Sequence, residues 1–257
     1  MKIATWNVNG IRAREAQYAD WITEERPDIV CLQETKAPES KVPPSICNID
    51  GYHCYWHGSG GYSGTALHVS TEMVSGRPHF LHPDFDFEDR VVGVSIENLI
   101  VLSIYLPNGG KDFDAKMDFM EQLGSWVRNR RAEGLELILC GDMNVTRSDL
   151  DVHPKERKPN AIGQLPVERE LFNGLIEENF VDLGRAMAPD DEGLFTWWAP
   201  WRNMRQRNIG WRLDYILATR NLAETVRSCI VRRDVGKSDH APVVAELDFS
   251  PGASSGT

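Results

Sequence analysis

The sequence of 257 residues has no long apolar run. No segment approaches the roughly 20 consecutive apolar residues that a helix needs to span a bilayer. Polar residues also interrupt the N-terminus before the apolar stretch of a signal peptide could form. We therefore expect a cytoplasmic protein with no membrane partner.

Cysteine is scarce, with five residues that suggest neither a disulfide framework nor a metal centre. Cys31 and Cys140 lie inside apolar runs, where a thiol behaves as a small hydrophobe. Cysteine and histidine come together in one segment, which contains Cys47, His53, Cys54 and His57. Their spacing fits no familiar zinc finger or ribbon. Reduced thiols are the favoured interpretation, and zinc is the minor alternative.

Basic charge is in deficit, since the formal net charge is −10. This total argues against a nucleic-acid partner, whose phosphates prefer a basic surface. The distribution argues the other way, because no Asp or Glu occurs between Gly193 and Leu213. That segment interleaves Arg202, Arg205, Arg207 and Arg212 with Trp197, Trp198, Trp201 and Trp211. A local binding face and an amphipathic surface loop with buried tryptophans both fit this composition.

Short apolar runs that alternate with amphipathic segments predict an α/β fold. Strands are predicted at residues 3–8, 28–32, 65–69, 91–96, 99–106, 136–140, 213–217, 225–231 and 242–247, and helices around 18–22, 117–127 and 166–176. The continuous apolar run 99–104 predicts a central strand covered on both faces. We expect one domain over residues 1–249, with packed sheets inside and helices outside, and a disordered tail at 250–257.

Polar side chains recur where the predicted strands end, the position at which groups are presented to ligands. They are Asn7, Asn9, Glu34, Tyr105, Asn108, Asp142, Asn144, Asp214, Asp239 and His240. Each alone has a plain structural explanation, such as a turn. Together they provide hard oxygen donors and one imidazole, without a Cys/His cluster or a glycine-rich phosphate loop. Glu34 and Asp239 suit Mg²⁺ or Mn²⁺ rather than zinc, and the set is typical of phosphodiester hydrolysis.

Six blocks of sequence resemble those of the exonuclease III and abasic-endonuclease family. In chain order they are residues 5–12, 32–36, 105–108, 141–145, 210–215 and 238–242. One block alone also marks other branches of the wider endonuclease/exonuclease/phosphatase superfamily, whereas six ordered blocks are specific. The resemblance implies a DNase I-like fold, a four-layer sandwich of two packed mixed β-sheets flanked by helices. It also implies a monomer that acts on double-stranded DNA and depends on Mg²⁺, with Mn²⁺ as a substitute.

The resemblance further implies an activity and a catalytic set. The activity is hydrolysis of the phosphodiester 5′ to an abasic site, with 3′-phosphodiesterase, 3′-phosphatase and 3′→5′ exonuclease activity on damaged 3′ ends. The implied catalytic residues are Tyr105, Asp142, Asn144, Asp214 and His240, and the implied metal-site residues are Asn7, Glu34 and Asp239. His240 contacts the scissile phosphate and Asp214 orients its ring. Asp142 activates or positions water, although the sequence leaves open whether Asp142 or Tyr105 contributes more.

The resemblance also implies a set of substrate contacts. An apolar pocket lined by Trp197, Trp211 and Leu213 accepts a base-less sugar that is flipped out of the helix. The other implied contacts with DNA are Asn108, Asn160 and Trp201, and the candidate phosphate contacts are Arg12, Lys111, Lys155 and Lys158. Trp201 and Arg202 stand in the place of residues that insert into the duplex, but they differ in type from those of the human member, so insertion is left open.

Two other functions are compatible with parts of the sequence. A superfamily branch acting on inositol phosphates, sphingomyelin or undamaged DNA would share the acids, but a polar headgroup needs a polar pocket rather than tryptophans. A non-catalytic DNA-binding protein would have lost some of the acidic or histidine positions, and all of them are present. In the nuclease, the Arg202–Arg212 face is expected to give modest, strongly salt-sensitive affinity for DNA.

Replacement of Asp142 by Asn or of His240 by Ala is expected to abolish incision of abasic DNA and leave the fold intact. Loss of a general base or of a charge that faces the phosphate costs on the order of 10²–10⁴ in rate. Incision assays beside circular dichroism spectra check this. Substantial incision by both variants would contradict the assignment of the site.

Overall fold

The computed structural model describes residues 1–74 and 76–249. The predicted tail at 250–257 lies outside the described residues. Across the described part of the chain, no helix is both long enough and apolar enough to cross a membrane. The strands are β1 (Lys2–Asn7), β2 (Ile29–Gln33), β3 (Tyr52–His57), β4 (Thr65–Ser70), β5 (His79–Leu81), β6 (Val91–Ile96), β7 (Leu99–Tyr105), β8 (Glu136–Asp142), β9 (Phe180–Asp182), β10 (Asp214–Thr219), β11 (Val226–Val231) and β12 (Val243–Leu247).

Within residues 1–74 and 76–249, six α-helices and four short 3₁₀ helices connect the strands. The α-helices are α1 (Glu15–Glu25), α2 (Pro44–Cys47), α3 (Phe113–Ala132), α4 (Pro166–Glu177), α5 (Leu183–Met187) and α6 (Arg220–Ala223). The 3₁₀ helices span Ile11–Arg14, Glu39–Lys41, Asp149–Asp151 and Pro154–Glu156. Pro166 occupies the first turn of α4, where its missing N–H costs nothing.

Two six-stranded mixed sheets form the centre of the fold. Their strand orders are β11-β12-β1-β2-β4-β3 and β5-β6-β7-β8-β10-β9. Each sheet contains one parallel pair, β1 with β2 and β7 with β8, and its other neighbouring strands are antiparallel. The chain crosses between the parallel strands through α1 in the first sheet and through α3 in the second. The predicted central strand is β7, which is buried along its whole length.

Three apolar cores hold the layers together. Side chains such as Ile3, Ile138 and Ala245 fill the space between the two sheets. A second core lies between the outer face of the second sheet and helices α3 and α4, and a third core, rich in aromatic rings, packs α1 on the first sheet. The result is the helix–sheet–sheet–helix sandwich that the resemblance implied. Burial of these alternate strand faces is the main favourable contribution to folding.

The parallel pairs determine where functional groups can meet. The carboxyl ends of parallel strands lie at one edge of a sheet, and ligands bind beyond that edge. Here the two sheets stack so that β1 contacts β8 and β2 contacts β7. Residues that follow these four strands therefore converge at one end of the sandwich. Gly141 permits this at the end of β8, because a Cβ on that residue would lie 1.9 Å from the carbonyl oxygen of Ile104.

The sequence missed three strands, β3, β5 and β9. Strands β5 and β9 have three residues each, too few for a periodic pattern. Strand β3 contains two histidines and two tyrosines, and it lies at the edge of its sheet with most of its residues half-buried. All three are edge strands, for which natural sequences avoid long apolar runs. The nine strands that were predicted are present, with ends shifted by at most two residues.

A buried ion-pair network supports the loop before β10. Arg212 bonds Asp182 through two nitrogens, at 2.8 and 2.7 Å, and Asp151 through Nε at 2.8 Å. Arg147 also contacts Asp182, at 3.0 Å. Burial opposes ionisation of Asp182, but the Arg212 and Arg147 charges hold its pKa at about 2. Paired charges of this kind position a segment accurately, and removal of one partner leaves a costly buried charge.

Replacement of Asp182 by Asn is expected to destabilise the fold by about 3 kcal/mol, because it leaves Arg212 under-compensated. The carboxyl pKa is lower in the folded state than its unfolded value of about 4, so its contribution is complete above that pH. The contribution is lost as pH falls toward 2. Urea unfolding at pH 7 and pH 3 measures this, and a difference between variant and parent that does not shrink at pH 3 would contradict the assignment.

Candidate active site

Six predicted functional residues converge at the carboxyl ends of the parallel strands. Asn7 and Tyr105 are the last residues of β1 and β7, Asp142 ends β8, and Glu34 directly follows β2. Asp214 begins β10 opposite Asp142 in the antiparallel register. His240 precedes β12, which pairs with β1. The site therefore draws on both sheets, and its residues are far apart in sequence.

His240 lies between two carboxylates. Its Nδ1 is 2.8 Å from Asp214 Oδ2, and its Nε2 is 3.8 Å from Asp142 Oδ2. Burial disfavours the charged ring, but the Asp214 and Asp142 carboxylates raise the pKa of His240 well above its ordinary value. The ring is therefore an imidazolium held by Asp214, with its other N–H aimed at Asp142.

Asp142 is almost fully buried, and its proton affinity is unusual for a carboxyl group. Burial raises its pKa, His240 opposes the rise, and the Asp214 and Glu34 charges add to it. Glu34 behaves in the opposite way. Burial favours its neutral form, but hydrogen bonds from Asn7 and Lys36 hold its pKa below the ordinary value. Two carboxyl groups in one site thus have different tendencies to ionise, a separation that acid–base chemistry requires.

The Asn7 side chain joins these two carboxylates. Its Nδ2 donates to Glu34 Oε1 and to Asp142 Oδ2, both at 2.9 Å. Its Oδ1 accepts from the Asn9 backbone N–H at 3.0 Å, which fixes the orientation of the amide. On the other side of Glu34, the Lys36 ammonium lies 2.6 Å from Oε2. Asn7 is fully buried, and its hydrogen bond to Asp142 is shielded from solvent competition, whereas the Lys36–Glu34 ion pair is partly exposed.

Donor atoms of Glu34, Asp142 and His240 lie within 4.8 Å of one another, close enough to hold a metal ion. The two carboxylates are hard oxygen donors of the kind that Mg²⁺ prefers, and the ionised state of Glu34 suits a cation. Asp239, the predicted second ligand, is not part of this group. Its Oδ1 accepts from Asn9 at 2.8 Å and its Oδ2 from Trp197 Nε1 at 3.0 Å.

Several loop residues at the site adopt left-handed backbone conformations. Asn9, Glu34, Lys36 and Asn144 have φ between 45° and 52°. Asparagine tolerates this region, but for Glu and Lys it costs about 1 kcal/mol or more each. Backbone hydrogen bonds from Thr35 to Gly64 and from Lys36 to Ser63 hold the Glu34 loop in place. Such strain persists where the surrounding structure determines it, and here it aims Glu34 into the site.

Tyr105 and Asn144 complete the polar wall. Burial and the Glu34 and Asp142 charges raise the pKa of Tyr105 well above its ordinary value, so the phenol stays protonated. The Arg90 guanidinium lies 4.8 Å from the Tyr105 ring centroid. Asn144 is positioned by its own amide, which donates to the Leu106 carbonyl at 2.8 Å.

Lys116 is a positioning residue that sequence reasoning missed. It is fully buried on α3, pairs with Glu168, and donates to the backbone carbonyls of Asn144 at 2.8 Å and Asn108 at 3.3 Å. Asn108 in turn donates to Asn144 Oδ1 at 3.3 Å. A signal was present, because Lys116 falls on the buried stripe of α3 with Phe119, where a lone lysine needs a partner. No sequence signal pointed to Arg90.

An aromatic wall flanks the polar group. The Trp197 ring centroid lies 5.7 Å from that of Trp211 and 6.5 Å from that of His240. Leu213 is buried beside them, and its backbone N–H donates to Thr196 Oγ1 at 2.9 Å. The structure thus brings Trp197 and Trp211 together next to His240, with Leu213 buried two residues further along the chain.

The predicted basic face is only partly correct. Arg212 is 2% exposed and forms buried ion pairs with Asp151 and Asp182, so it is not on the surface. Arg205 donates to three backbone carbonyls and supports the loop instead. Arg202 and Arg207 are exposed, and Trp201 is 59% exposed. Trp201 and Arg202 share a groove with Ser238 and Asp239, which places this protruding loop beside the site.

The remaining predicted contacts lie outside the buried group. Arg12 is exposed on the 3₁₀ helix that follows β1, and Asn160 is exposed in the loop before α4. Lys111 is exposed, and its ammonium lies 6.0 Å from the Tyr62 ring centroid. These side chains are on the surface that a large ligand would reach.

Comparison with known proteins identifies the family of this chain. A model of the Endonuclease/Exonuclease/phosphatase family matches residues 4–240. An exodeoxyribonuclease of Bacillus subtilis (strain 168) is 38% identical, over 95% of this chain and 98% of its own length. The solved structure of an AP endonuclease from Archaeoglobus fulgidus has a TM-score of 0.86 and 32% identity, and covers 97% of this chain and 100% of that one.

A second solved structure adds a complex with nucleic acid. It is a 3′ phosphatase from Neisseria bound to a product DNA hairpin, with a TM-score of 0.88, 31% identity, and coverage of 97% of this chain and 100% of that one. The six sequence blocks, the two mixed sheets and these relatives agree. The chain belongs to the Endonuclease/Exonuclease/phosphatase family.

Proposed function

We propose that this protein is an Mg²⁺-dependent DNA repair nuclease that hydrolyses the phosphodiester 5′ to abasic sites. It also removes damaged 3′ ends, through 3′-phosphodiesterase, 3′-phosphatase and 3′→5′ exonuclease activity. The observation that carries the proposal is the group of Glu34, Asp142 and His240 within 4.8 Å of one another. An apolar wall of Trp197 and Trp211 stands directly beside it. The relatives that act on DNA are consistent with this function.

The residues divide the chemistry of phosphodiester hydrolysis among them. Negative charge grows on the phosphate oxygens in the transition state, and the His240 imidazolium offsets it. Asp142 accepts a proton from the attacking water, a role that its raised proton affinity suits. Tyr105 stays protonated and donates a hydrogen bond to a phosphate oxygen rather than acting as a base. On this account Asp142, not Tyr105, activates the water.

Glu34 is the anchor for the divalent ion, with Asp142 and the Asn7 amide around it. The ion contributes Lewis-acid neutralisation of phosphate charge when it is bound. The Lys36 ammonium already lies on Glu34, so the carboxylate is kept ionised in the absence of metal. Asp239 shapes the site by fixing Trp197 through its indole N–H. Mn²⁺ offers the same preference for oxygen ligands and should replace Mg²⁺.

The aromatic wall selects the substrate by shape. The Trp197 and Trp211 rings, packed edge to face at 78°, offer with Leu213 an apolar corner beside His240. A deoxyribose without a base fits there at the smallest cost in lost stacking. A polar headgroup would leave its hydroxyl groups unpaired against this wall. This contrast disfavours inositol phosphates and other polar small molecules as substrates.

Incubation with a labelled duplex that contains one tetrahydrofuran abasic analogue is expected to give a single cut on the 5′ side, leaving a 3′-hydroxyl. The cut should require Mg²⁺ and disappear with EDTA, because Glu34 and its neighbours cannot neutralise the phosphate without a cation. The same duplex with a normal base is the control. Denaturing gels resolve the products.

The other outcomes of this assay are distinct. Degradation from a nick or a 3′ end, without a cut at the analogue, would retain the active site and move the function to 3′-end repair. Absence of activity on every DNA would sink the proposed function and direct attention to phosphorylated small molecules.

Replacement of the exposed Arg202 by Ala is expected to make the dependence of log K on log[salt] less steep for binding to abasic DNA. The magnitude of the negative slope should fall by about one. Arg202 lines the same groove as Asp239, where we expect it to contact a DNA phosphate. Fluorescence anisotropy from 50 to 200 mM salt, on the order of physiological strength, measures the slope. Arg128→Ala is the matched control, because the Arg128 side chain is 53% exposed and lies near the C-terminal end of α3. Equal slopes for all three proteins would contradict the assigned contact.

A further inference from the structure

A second cluster of metal-binding side chains lies outside the active site, at the common edge of the two sheets. One nitrogen from each of His57 and His82 and one Asp86 oxygen lie within 4.8 Å of one another. His57 Nε2 is 2.6 Å from Asp86 Oδ2. The two imidazole rings are tilted by 47° to each other, with centroids 4.2 Å apart. Two imidazoles and one carboxylate form a ligand set suited to transition metals.

We propose that His57, His82 and Asp86 bind a divalent transition metal of the Zn²⁺ class. The active-site group consists mainly of hard oxygens, whereas this cluster is dominated by imidazole nitrogens, which Mg²⁺ does not favour. Asp89 is a fourth donor at the margin, with Oδ1 3.8 Å from His57 Nε2. A three-ligand set with an open position accommodates a tetrahedral ion that also binds water.

The position of the cluster gives the ion a mechanical role. His57 ends β3, the edge strand of the first sheet, and His82 directly follows β5, the edge strand of the second. The edges already touch, because the Tyr55 ring stacks on Phe80 at 4.6 Å and the Tyr55 hydroxyl lies 2.8 Å from His82 Nε2. An ion held by both sides would cross-link the sheets where each has an unpaired edge.

The cluster also connects to the active site through Arg90. The second oxygen of Asp86 accepts from the backbone N–H groups of Arg90 and Val91, at 2.8 and 2.9 Å. The Arg90 guanidinium stacks on Tyr105 and bonds its carbonyl at 3.4 Å. Metal binding at Asp86 would therefore stiffen the loop that supports Tyr105. The His82 side chain is exposed, so the ion has a path from solvent.

Titration of metal-free protein with Zn²⁺ by isothermal calorimetry tests the proposal. All proteins should carry Glu34→Ala, which removes the principal active-site ligand, and the titrations should contain excess Mg²⁺. We expect one Zn²⁺ per chain in this parent. His82→Ala should weaken that binding by roughly tenfold or more. Loss of a direct ligand should cost at least as much affinity as the roughly 10–100-fold loss typical of changes in the outer shell.

Two further variants make the result specific. Asp86→Asn keeps the acceptor for the Arg90 and Val91 amides but lowers the charge of the site, and it should also weaken Zn²⁺ binding. His79→Ala is the matched control, because His79 is an exposed histidine on β5 outside the cluster. It should bind Zn²⁺ like the parent.

Thermal melts supply a second readout that does not depend on nuclease activity. Zn²⁺ should raise the melting temperature of the parent and of His79→Ala, but not that of His82→Ala, because a ligand stabilises only the state that binds it. Circular dichroism checks that each variant is folded. A parent that binds no Zn²⁺, or a His82→Ala variant that binds it as tightly as the parent does, would overturn the proposal.

Discussion

The hydrogen bonds of the Asn7 amide, from one nitrogen to both Glu34 and Asp142, join the two halves of this molecule. Each carboxylate belongs to a different sheet, and each follows one member of a parallel strand pair. The amide can reach both only because the sheets stack with the carboxyl ends of their parallel pairs at the same end of the sandwich. A one-residue slip of β1 would point Asn7 to the opposite face and separate the acids. The geometry of the catalytic residues therefore depends directly on how the two sheets pack against each other.

This arrangement concentrates charge where water is largely excluded. Asp142, Asp214 and His240 are each at most 4% exposed, so the interactions among them are strong. Burial raises the pKa of Asp142, and the Asp214 and Asp142 carboxylates raise the pKa of His240 against the effect of burial. The ring of His240 is held charged by Asp214, and Asp142 remains within reach of its other nitrogen. Glu34, the most accessible member of the group, is the one kept ionised by Lys36. The site thus separates an ionised anchor for a cation from a carboxyl group that can take up a proton near neutral pH.

The net charge of the protein is acidic, but the arginine- and tryptophan-rich segment 193–213 contains both structural and exposed arginines. Its arginines do not form one face: Arg212 and Arg205 are structural, and they hold the loops that present Trp197 and Trp211. Only Arg202 and Arg207 remain exposed for electrostatic attraction. Under the proposed function, recognition of a sugar that has lost its base would depend more on the shape of the apolar wall than on a broad positive surface.

The sequence by itself determined the α/β class and nine of the twelve strands in the described residues, because apolar runs indicate buried strands. It also predicted which polar residues stand where those strands end. It could not reveal which polar groups touch. Asp239 was predicted as a nearby or second metal ligand, and the structure adds that its carboxylate accepts hydrogen bonds from Asn9 and Trp197. Arg212 was expected on the surface, yet it is buried and forms ion pairs with Asp151 and Asp182. The edge strand β3, which ends at His57, and the short edge strand β5, which His82 follows, were also not predicted. Only the tertiary structure decided these points, because they depend on how two sheets stack and on contacts between residues distant in the chain, neither of which leaves a local periodic signal.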